Sequence, residues 1–222
     1  AVYDGRLFLT GNPDLPNVVF YSELPGEHGA RYFGHLNFFT HGSRNYVNTA
    51  IGVHSSFLCV FKGKPGEQAG FYMPVQEEGI RKVFYSLSGA AETDCTGEYT
   101  GFSQDSVFLS SGGLTALEGK NPQSVYVRER SALVGNKLKN ASENTSVALW
   151  NGYIAVMTDG EILLADTERT VTINGSKQYE WYVISDVGNY SGQVKRYRHL
   201  SVSPVENGTR LTELFVDGKA LS

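Results

Sequence analysis

The sequence has few of the features that would indicate a disulfide framework or a membrane span. Only two cysteines, Cys59 and Cys95, occur in 222 residues. This favours two buried thiols, although one disulfide remains an alternative. The longest apolar runs are short, such as residues 162–165, whereas a membrane-spanning helix needs about 20 apolar residues. The sequence therefore predicts no membrane span.

Charge of either sign is also scarce. Lys and Arg number 19 and Asp and Glu number 23, which gives a net charge of −4. Such a chain has no overall positive field to hold a polyanion. The basic run VKRYRHL at residues 194–200 is interpreted as a solvated or edge-protecting strand rather than a phosphate-binding surface. No specific nucleic-acid binding is predicted.

Motifs for catalysis and metal binding are missing. The sequence contains no His-Glu-x-x-His, no Gly-x-x-x-x-Gly-Lys-Ser/Thr and no Cys-x-x-Cys. Four early histidines match no metal-ligand spacing and are interpreted as surface residues: His28, His35, His41 and His54. Six carboxylates in predicted turns are candidates for a glycosidase pair: Asp14, Glu23, Asp94, Asp105, Asp159 and Asp186. Sialidase-type turns and an arginine cluster do not accompany them, so no enzyme, cofactor or metal is predicted.

Glycine and aromatic residues, by contrast, are abundant. The chain has 25 Gly, 13 Tyr and 12 Phe, and no long stretch has apolar residues at helical spacing, so we expect an all-β fold. In SVALWNGYIAVMTDGEILLADT, the dipeptides Asn151-Gly152 and Asp159-Gly160 favour tight hairpin turns. Together with a turn at Asn174-Gly175, they predict a four-stranded meander with strands at 146–150, 153–158, 161–165 and 178–185.

Similar short strands recur along the chain. They begin 50, 50 and 46 residues apart, at 7–10, 57–61, 107–110 and 153–157. A weaker fifth copy lies around Asp217-Gly218. This period predicts a β-propeller of about five four-stranded antiparallel blades, with a β-sandwich or stacked meanders as the alternative. Residues 7–9 and 57–61 are continuously apolar, as expected for strands buried on both faces. Trp150 and Trp181 are expected to pack between sheets.

The stretch GNPDLPN, residues 11–17, is explained by turn chemistry alone. Two prolines fix φ, Asn and Asp side chains accept local hydrogen bonds, and glycine permits a positive φ. We interpret it as a structural hinge and a candidate assembly loop formed by Asn12, Pro13, Asp14, Pro16 and Asn17. No residue is predicted to be catalytic. The one helical candidate in the chain is SALVGNKL, residues 131–138.

Several stretches, in their order, resemble a family of tailed-phage and prophage structural proteins. They are RLFLTGNPDLPNVVFYSEL, ARYFG, NTAIGVHSSFLCVFKGK, DSVFLSSGGLTAL, RSALVGNKL, VALWNGYIAVMTDGEILLADT and QYEWYVIS. The resemblance covers roughly residues 5 to 185. It implies a propeller-bearing virion component, similar to tail or nozzle-like proteins at the head–tail junction. Residues after 186 fit the family pattern poorly.

We therefore expect a non-enzymatic virion structural protein that is assembled in the bacterial host cytoplasm. Its expected partners are other virion proteins and further copies of itself in a ring. Residues 1–222 are expected to form a single domain cut from a longer chain. The alternative is a carbohydrate-binding propeller module on a cell or tail surface, with Tyr32, Phe33 or Tyr190 as sugar platforms.

Overall fold

The computed structural model divides the chain into two compact units, residues 1–188 and 189–222. The residues that it describes are 1–26, 29–77, 81–96, 99–101, 105–138, 145–158, 161–185, 214–216 and 219–221. The candidates Asp159, Asp186, His28 and Tyr190 and the basic run 194–200 lie outside these described residues.

The first unit consists of four antiparallel sheets of four strands each, and every sheet is a simple meander. Sheet I contains β1 (Val2–Tyr3), β2 (Arg6–Leu9), β3 (Val18–Tyr21) and β4 (Phe38–Thr40). Sheet II contains β5 (Asn48–His54), β6 (Phe57–Lys62), β7 (Gln68–Glu77) and β8 (Arg81–Glu92). Sheet III contains β9 (Tyr99–Gly101), β10 (Ser106–Ser110), β11 (Gly113–Glu118) and β12 (Tyr126–Glu129). Sheet IV contains β13 (Ser146–Trp150), β14 (Tyr153–Met157), β15 (Glu161–Ile173) and β16 (Ser176–Ser185).

The turns of sheet IV confirm the predicted hairpin chemistry. Both residues of Asn151-Gly152 have positive φ, 48° and 85°, and so do both residues of Asn174-Gly175, 49° and 74°. This is the backbone that type I′ turns require. Strand β15 extends further than the predicted 161–165 because a bulge between Asp166 and Thr170 lets it continue beside β16.

The sequence repeat corresponds to one particular strand of each sheet. Its four copies are β2, β6, β10 and β14, the second strand in each meander. The fifth copy coincides with a hairpin in the second unit, where β17 (Leu214–Val216) pairs with β18 (Lys219–Leu221). The described residues thus contain four complete sheets and this hairpin.

Hydrophobic clusters fill each space between consecutive sheets. In β6, Phe57, Cys59 and Phe61 belong to a cluster shared with sheet III, whereas Leu58 and Val60 belong to one shared with sheet I. In β10, Val107 and Leu109 pack towards sheet IV and Phe108 packs towards sheet II. Because side chains alternate between the faces of a strand, β6 and β10 have both faces covered, as expected for β6.

Consecutive sheets also lie side by side in the same order. The first strands are neighbours, with β1 beside β5, β5 beside β9 and β9 beside β13, and among the last strands β8 lies beside β12 and β12 beside β16. The prediction of an all-β, propeller-like fold built from four-stranded antiparallel sheets is therefore confirmed.

Three smaller expectations concern the helical candidate, the cysteines and a membrane span. Residues Ala132–Lys137 form short 3₁₀ turns interrupted at Gly135, and buried Leu138 and half-buried Val134 join the cluster between sheets III and IV. Cys59 and Cys95 are both buried thiols, and burial raises the pKa of the Cys59 thiol. Among the described residues, no helix has the length and apolar character needed to cross a bilayer.

Candidate functional site

A buried histidine connects sheets I and II. His41 follows β4, and its Nδ1 lies 2.9 Å from the Tyr72 hydroxyl while its Nε2 lies 3.1 Å from the carbonyl oxygen of Gln68. Burial and the nearby Lys62 charge together lower the pKa of His41 to about 4, and the Gln68 hydrogen bond opposes them. A neutral imidazole can donate to Gln68 and accept from Tyr72, so both ring nitrogens have partners.

A second buried histidine connects sheets II and III. His54 Nδ1 lies 2.9 Å from Ser106 Oγ, and its Nε2 lies 2.6 Å from the carbonyl oxygen of Gly119. The prediction that His41 and His54 are surface residues is therefore wrong, whereas His35 is exposed. Sequence spacing could not reveal this, because each histidine is buried by a sheet distant in sequence.

An aspartate strengthens the same junction. Asp94 follows β8, and its carboxylate accepts hydrogen bonds from the Ser111 amide at 2.9 Å and from Ser111 Oγ at 3.0 Å. Ser111 lies in the turn between β10 and β11. Asp94 therefore connects the end of sheet II to a hairpin of sheet III.

The junction between sheets III and IV is centred on a buried arginine. Arg130 is 1 % exposed. Its guanidinium contacts Asp105 at 3.3 Å, contacts the Glu118 carboxylate, and donates to the carbonyl oxygen of Lys177 at 3.2 Å. The Tyr179 hydroxyl donates to Asp105. We call Asp105, Glu118, Arg130 and Tyr179 the arginine cluster.

In the arginine cluster, the surroundings favour the charged form of Glu118 and the protonated form of Tyr179. Burial acts to raise the pKa of Glu118, but hydrogen bonds from Tyr126 and Arg130 outweigh it and lower that pKa. Burial and the Asp105 carboxylate raise the pKa of Tyr179. Arg130 thus neutralises two carboxylates, and Tyr179 stays protonated as a donor. The arrangement holds two sheets together around a buried guanidinium, and the Glu118 side chain is 28 % exposed at its edge.

Of the other candidate carboxylates, the structure describes Glu23 and Asp14. Glu23 accepts from Asn37 and Arg6, and these two hydrogen bonds lower its pKa. Asp14 lies in the exposed turn after β2. Among the described residues, no three His, Cys, Asp or Glu side chains group closely enough to hold a metal ion.

The GNPDLPN stretch connects β2 to β3 and also contacts the start of sheet II. Asn12 Oδ1 accepts from the Asp14 amide at 2.9 Å. The Pro16 carbonyl accepts from the Asn48 amide at 2.7 Å, and the Asn17 carbonyl accepts from the His41 amide at 2.8 Å. Asn12, Pro13 and Asp14 are exposed, Pro16 is half-buried and Asn17 is buried. The loop is therefore a turn fixed to the start of sheet II by backbone hydrogen bonds; its roles as a hinge and as an assembly contact stay predictions.

The face of sheet I that points away from sheet II is apolar and open. Register pairs Val2 with Leu7, Leu9 with Phe20, and Phe20 with Phe38, so these side chains share one face. Val2 is 61 % exposed, Leu9 48 % and Phe38 46 %. We call these five residues the sheet I outer face. The prediction that residues 7–9 are buried on both faces is wrong for Leu9, because no other sheet among the described residues covers this side.

Sheet IV has a matching open face, which points away from sheet III. Trp150 pairs with Tyr153, Leu164 with Tyr182, and Met157 with Ile162 across the strands. We call these six residues the sheet IV outer face; the register also places Asp166 and Glu180 on this side of the sheet, next to Tyr153. Trp150 is 57 % exposed, Met157 46 % and Tyr182 41 %. The rings of Trp150 and Tyr153 lie 6.4 Å apart, and those of Tyr153 and Tyr182 lie 6.1 Å apart.

The two tryptophans therefore have different surroundings. Trp181 packs against the cluster between sheets III and IV, as predicted, and its Nε1 donates to the Arg130 carbonyl at 3.1 Å. Trp150 does not pack between two sheets of the described chain. The predicted sugar platform Tyr32 is exposed, whereas Phe33 is half-buried.

The chain was also compared with known proteins. No family model matches it, and no curated protein matches it.

Proposed function

We propose that this chain is a non-enzymatic structural protein of a tailed-phage or prophage virion, and that it acts in the tail or at the head–tail junction by assembling with other virion proteins. The observation that carries the proposal is the pair of apolar outer faces on sheets I and IV. Contiguous apolar surface on a folded chain marks a site of interaction. The ordered resemblance of residues 5–185 to phage structural proteins supplies the virion context.

The arrangement of polar residues supports a role without catalysis. His41, His54, Asp94 and the arginine cluster each use their hydrogen bonds to connect neighbouring sheets. A catalytic acid or base must have access to a substrate proton. These groups instead have internal partners, so we assign them to holding the stack of sheets rigid.

The test is whether the chain is part of virus particles. Antibodies raised against the purified chain would be applied to particles produced by the encoding phage or induced prophage. We expect the chain to sediment with DNA-filled particles and the antibody to label one end of the tail in electron micrographs. Recovery of the chain only outside particles would contradict the proposal.

A carbohydrate-binding module is the second candidate, and one observation favours it. Trp150, Tyr153 and Tyr182 form a series of aromatic rings on an exposed sheet face, and such rings can bind the apolar faces of sugars. Tyr32 adds a further exposed ring. Two results together would favour this candidate over the virion protein. The chain would bind on a glycan panel and lose that binding in a Trp150→Ala variant, and the antibody would not label virus particles.

A further inference from the structure

The four sheets are joined by one kind of contact repeated three times. We call the face of a sheet that points to the next sheet along the chain its forward face, and the opposite face its backward face. In each junction the forward face of one sheet packs on the backward face of the next. Aromatic rings meet across these junctions: Phe8 and Phe84 lie 4.8 Å apart between sheets I and II, and Phe61 and Phe108 lie 4.8 Å apart between sheets II and III. Among the residues that the structure describes, the repeated contact leaves two faces of the first unit without a partner sheet, the sheet I outer face and the sheet IV outer face.

The two remaining faces are of opposite kinds. The sheet I outer face is a backward face, and the sheet IV outer face is a forward face. Each is built mainly from apolar and aromatic side chains, as the internal faces are, although Thr40 shares the first face and Asp166 and Glu180 share the second. In stacked repeat proteins the terminal repeats normally have a polar outer side that keeps the stack soluble. The two outer faces here are predominantly apolar instead.

We propose that the sheet IV outer face of one copy packs on the sheet I outer face of a second copy of this chain, so that the stack of sheets continues from molecule to molecule. A second copy is the occupant that the structure favours, because this chain carries both a forward face and a backward face of the repeated contact. Trp150 and Tyr182 of one molecule then meet Leu9 and Phe38 of the next. The inference rests on the proposed function and names the partner and the surface.

This contact is head-to-tail, since two different faces meet. A head-to-tail contact closes into a ring if the rotation between copies allows it and otherwise grows into a filament. A symmetric dimer, in which the same face meets itself, is a different arrangement with a different response to mutation.

The experiment uses two variants of the whole 222-residue chain. The first carries Leu9→Glu and Phe38→Glu on the sheet I outer face, and the second carries Trp150→Glu and Tyr182→Glu on the sheet IV outer face. Masses are measured by light scattering across a concentration series. Circular dichroism and thermal melting check folding, and serine substitutions at the same positions replace any variant that does not fold.

We expect the wild-type chain to form oligomers larger than dimers and each variant alone to be monomeric. A mixture of the two variants should form a one-to-one complex of twice the monomer mass. Each partner in that mixture retains the face that the other has lost, so exactly one intact contact can form. Tyr32→Glu, an exposed aromatic residue on neither outer face, is the matched control and should assemble as the wild type does.

Several results would overturn the inference. A monomeric wild-type chain would mean that the outer faces are not covered by second copies. Self-association of either variant alone would indicate a symmetric contact through its intact face. A mixture that stays monomeric would exclude the head-to-tail contact, and glycan binding at Trp150 by a monomeric chain would assign the face to sugar. A chain that is monomeric in solution but present in virus particles would overturn this inference and leave the proposed function standing.

Discussion

A glycine, which has no side chain, allows sheets II and III to meet. Gly52 in β5 lies directly beneath the ring of Tyr99, and a Cβ atom at that position would lie 2.0 Å from two atoms of the ring. Tyr99 cannot easily move away, because its hydroxyl donates to the Val53 carbonyl at 2.7 Å and its ring packs against Phe61. The position therefore requires glycine for space.

We expect Gly52→Ala to destabilise the chain by about 1–3 kcal/mol, the usual cost of overpacking a core. Denaturant unfolding measures the change in the free energy of unfolding. Gly112→Ala is the control, because a Cβ at Gly112 meets only Ser110 Oγ at an ordinary 3.5 Å. In a Tyr99→Ala background the cost of Gly52→Ala should largely disappear. An unchanged cost in that background would contradict the steric explanation.

His41 gives the stability of the chain a dependence on pH. Its pKa falls from 6.5 to about 4 on folding, so the folded state favours the neutral ring. The stability that the neutral ring contributes is fully present above pH 6.5. It declines as the pH falls below that value, and the decline levels off below about pH 4. The total loss of stability has an upper limit of roughly 3 kcal/mol.

The measurement is the free energy of unfolding of the wild type and of His41→Gln between pH 7 and pH 4. We expect the stability advantage of the wild type over His41→Gln to shrink as the pH falls through this window. The control is His35→Gln at an exposed position, which should follow the wild type. Parallel curves for the wild type and His41→Gln would show that His41 does not titrate in this way.

At the scale of the strand, the arginine cluster fixes how β12 of sheet III meets β16 of sheet IV. Replacing Arg130 with Met would leave the Glu118 carboxylate without its cation and leave Asp105 with only the Lys177 ammonium, 3.8 Å away. Breaking a buried ion pair from one side costs about 3–5 kcal/mol. We expect Arg130→Met to lose stability on that scale, and Arg130→Lys to recover only part of it, because Lys lacks the forked geometry of the guanidinium.

Arg128→Met is the matched control, since Arg128 lies on β12 two residues before Arg130, is exposed and rests on the Tyr126 ring. Tryptophan fluorescence during denaturant unfolding reports on this junction, because Trp181 donates to the Arg130 carbonyl. Equal losses in the Arg128→Met and Arg130→Met chains would show that the buried charge contacts are not the cause.

Local sequence patterns predicted the elements of this fold well and their tertiary surroundings poorly. The Asn-Gly turns and the repeat spacing located β13, β14 and the second strand of every sheet, because turn chemistry and apolar runs are local properties. The burial of His41, His54 and Arg130 depends on which sheet packs above them. The exposure of Trp150 depends on what lies beyond sheet IV. Neither can be inferred from a window of neighbouring residues.

At the largest scale, the four sheets of the first unit comprise two inner sheets and two end sheets. All residues of β6 and β10 are buried, whereas the corresponding strands β2 and β14 of the end sheets each have a partly open face. The four strands are comparable, because each is the second of a meander and is paired on both edges. Differences in their protection therefore report on face-to-face packing rather than on hydrogen bonding.

We expect backbone amides of β6 and β10 to exchange with deuterium more slowly than those of β2 and β14 in the monomeric outer-face variants, since local opening is easier where fewer apolar contacts are lost. In an assembled wild-type chain, β2 and β14 should become protected, because the proposed contact covers their open faces. Mass spectrometry of peptic fragments from both forms measures this. Equal protection of all four strands in the monomer would contradict the difference between inner and end sheets. Assembly that leaves β2 and β14 unchanged would place the contact elsewhere on the molecule.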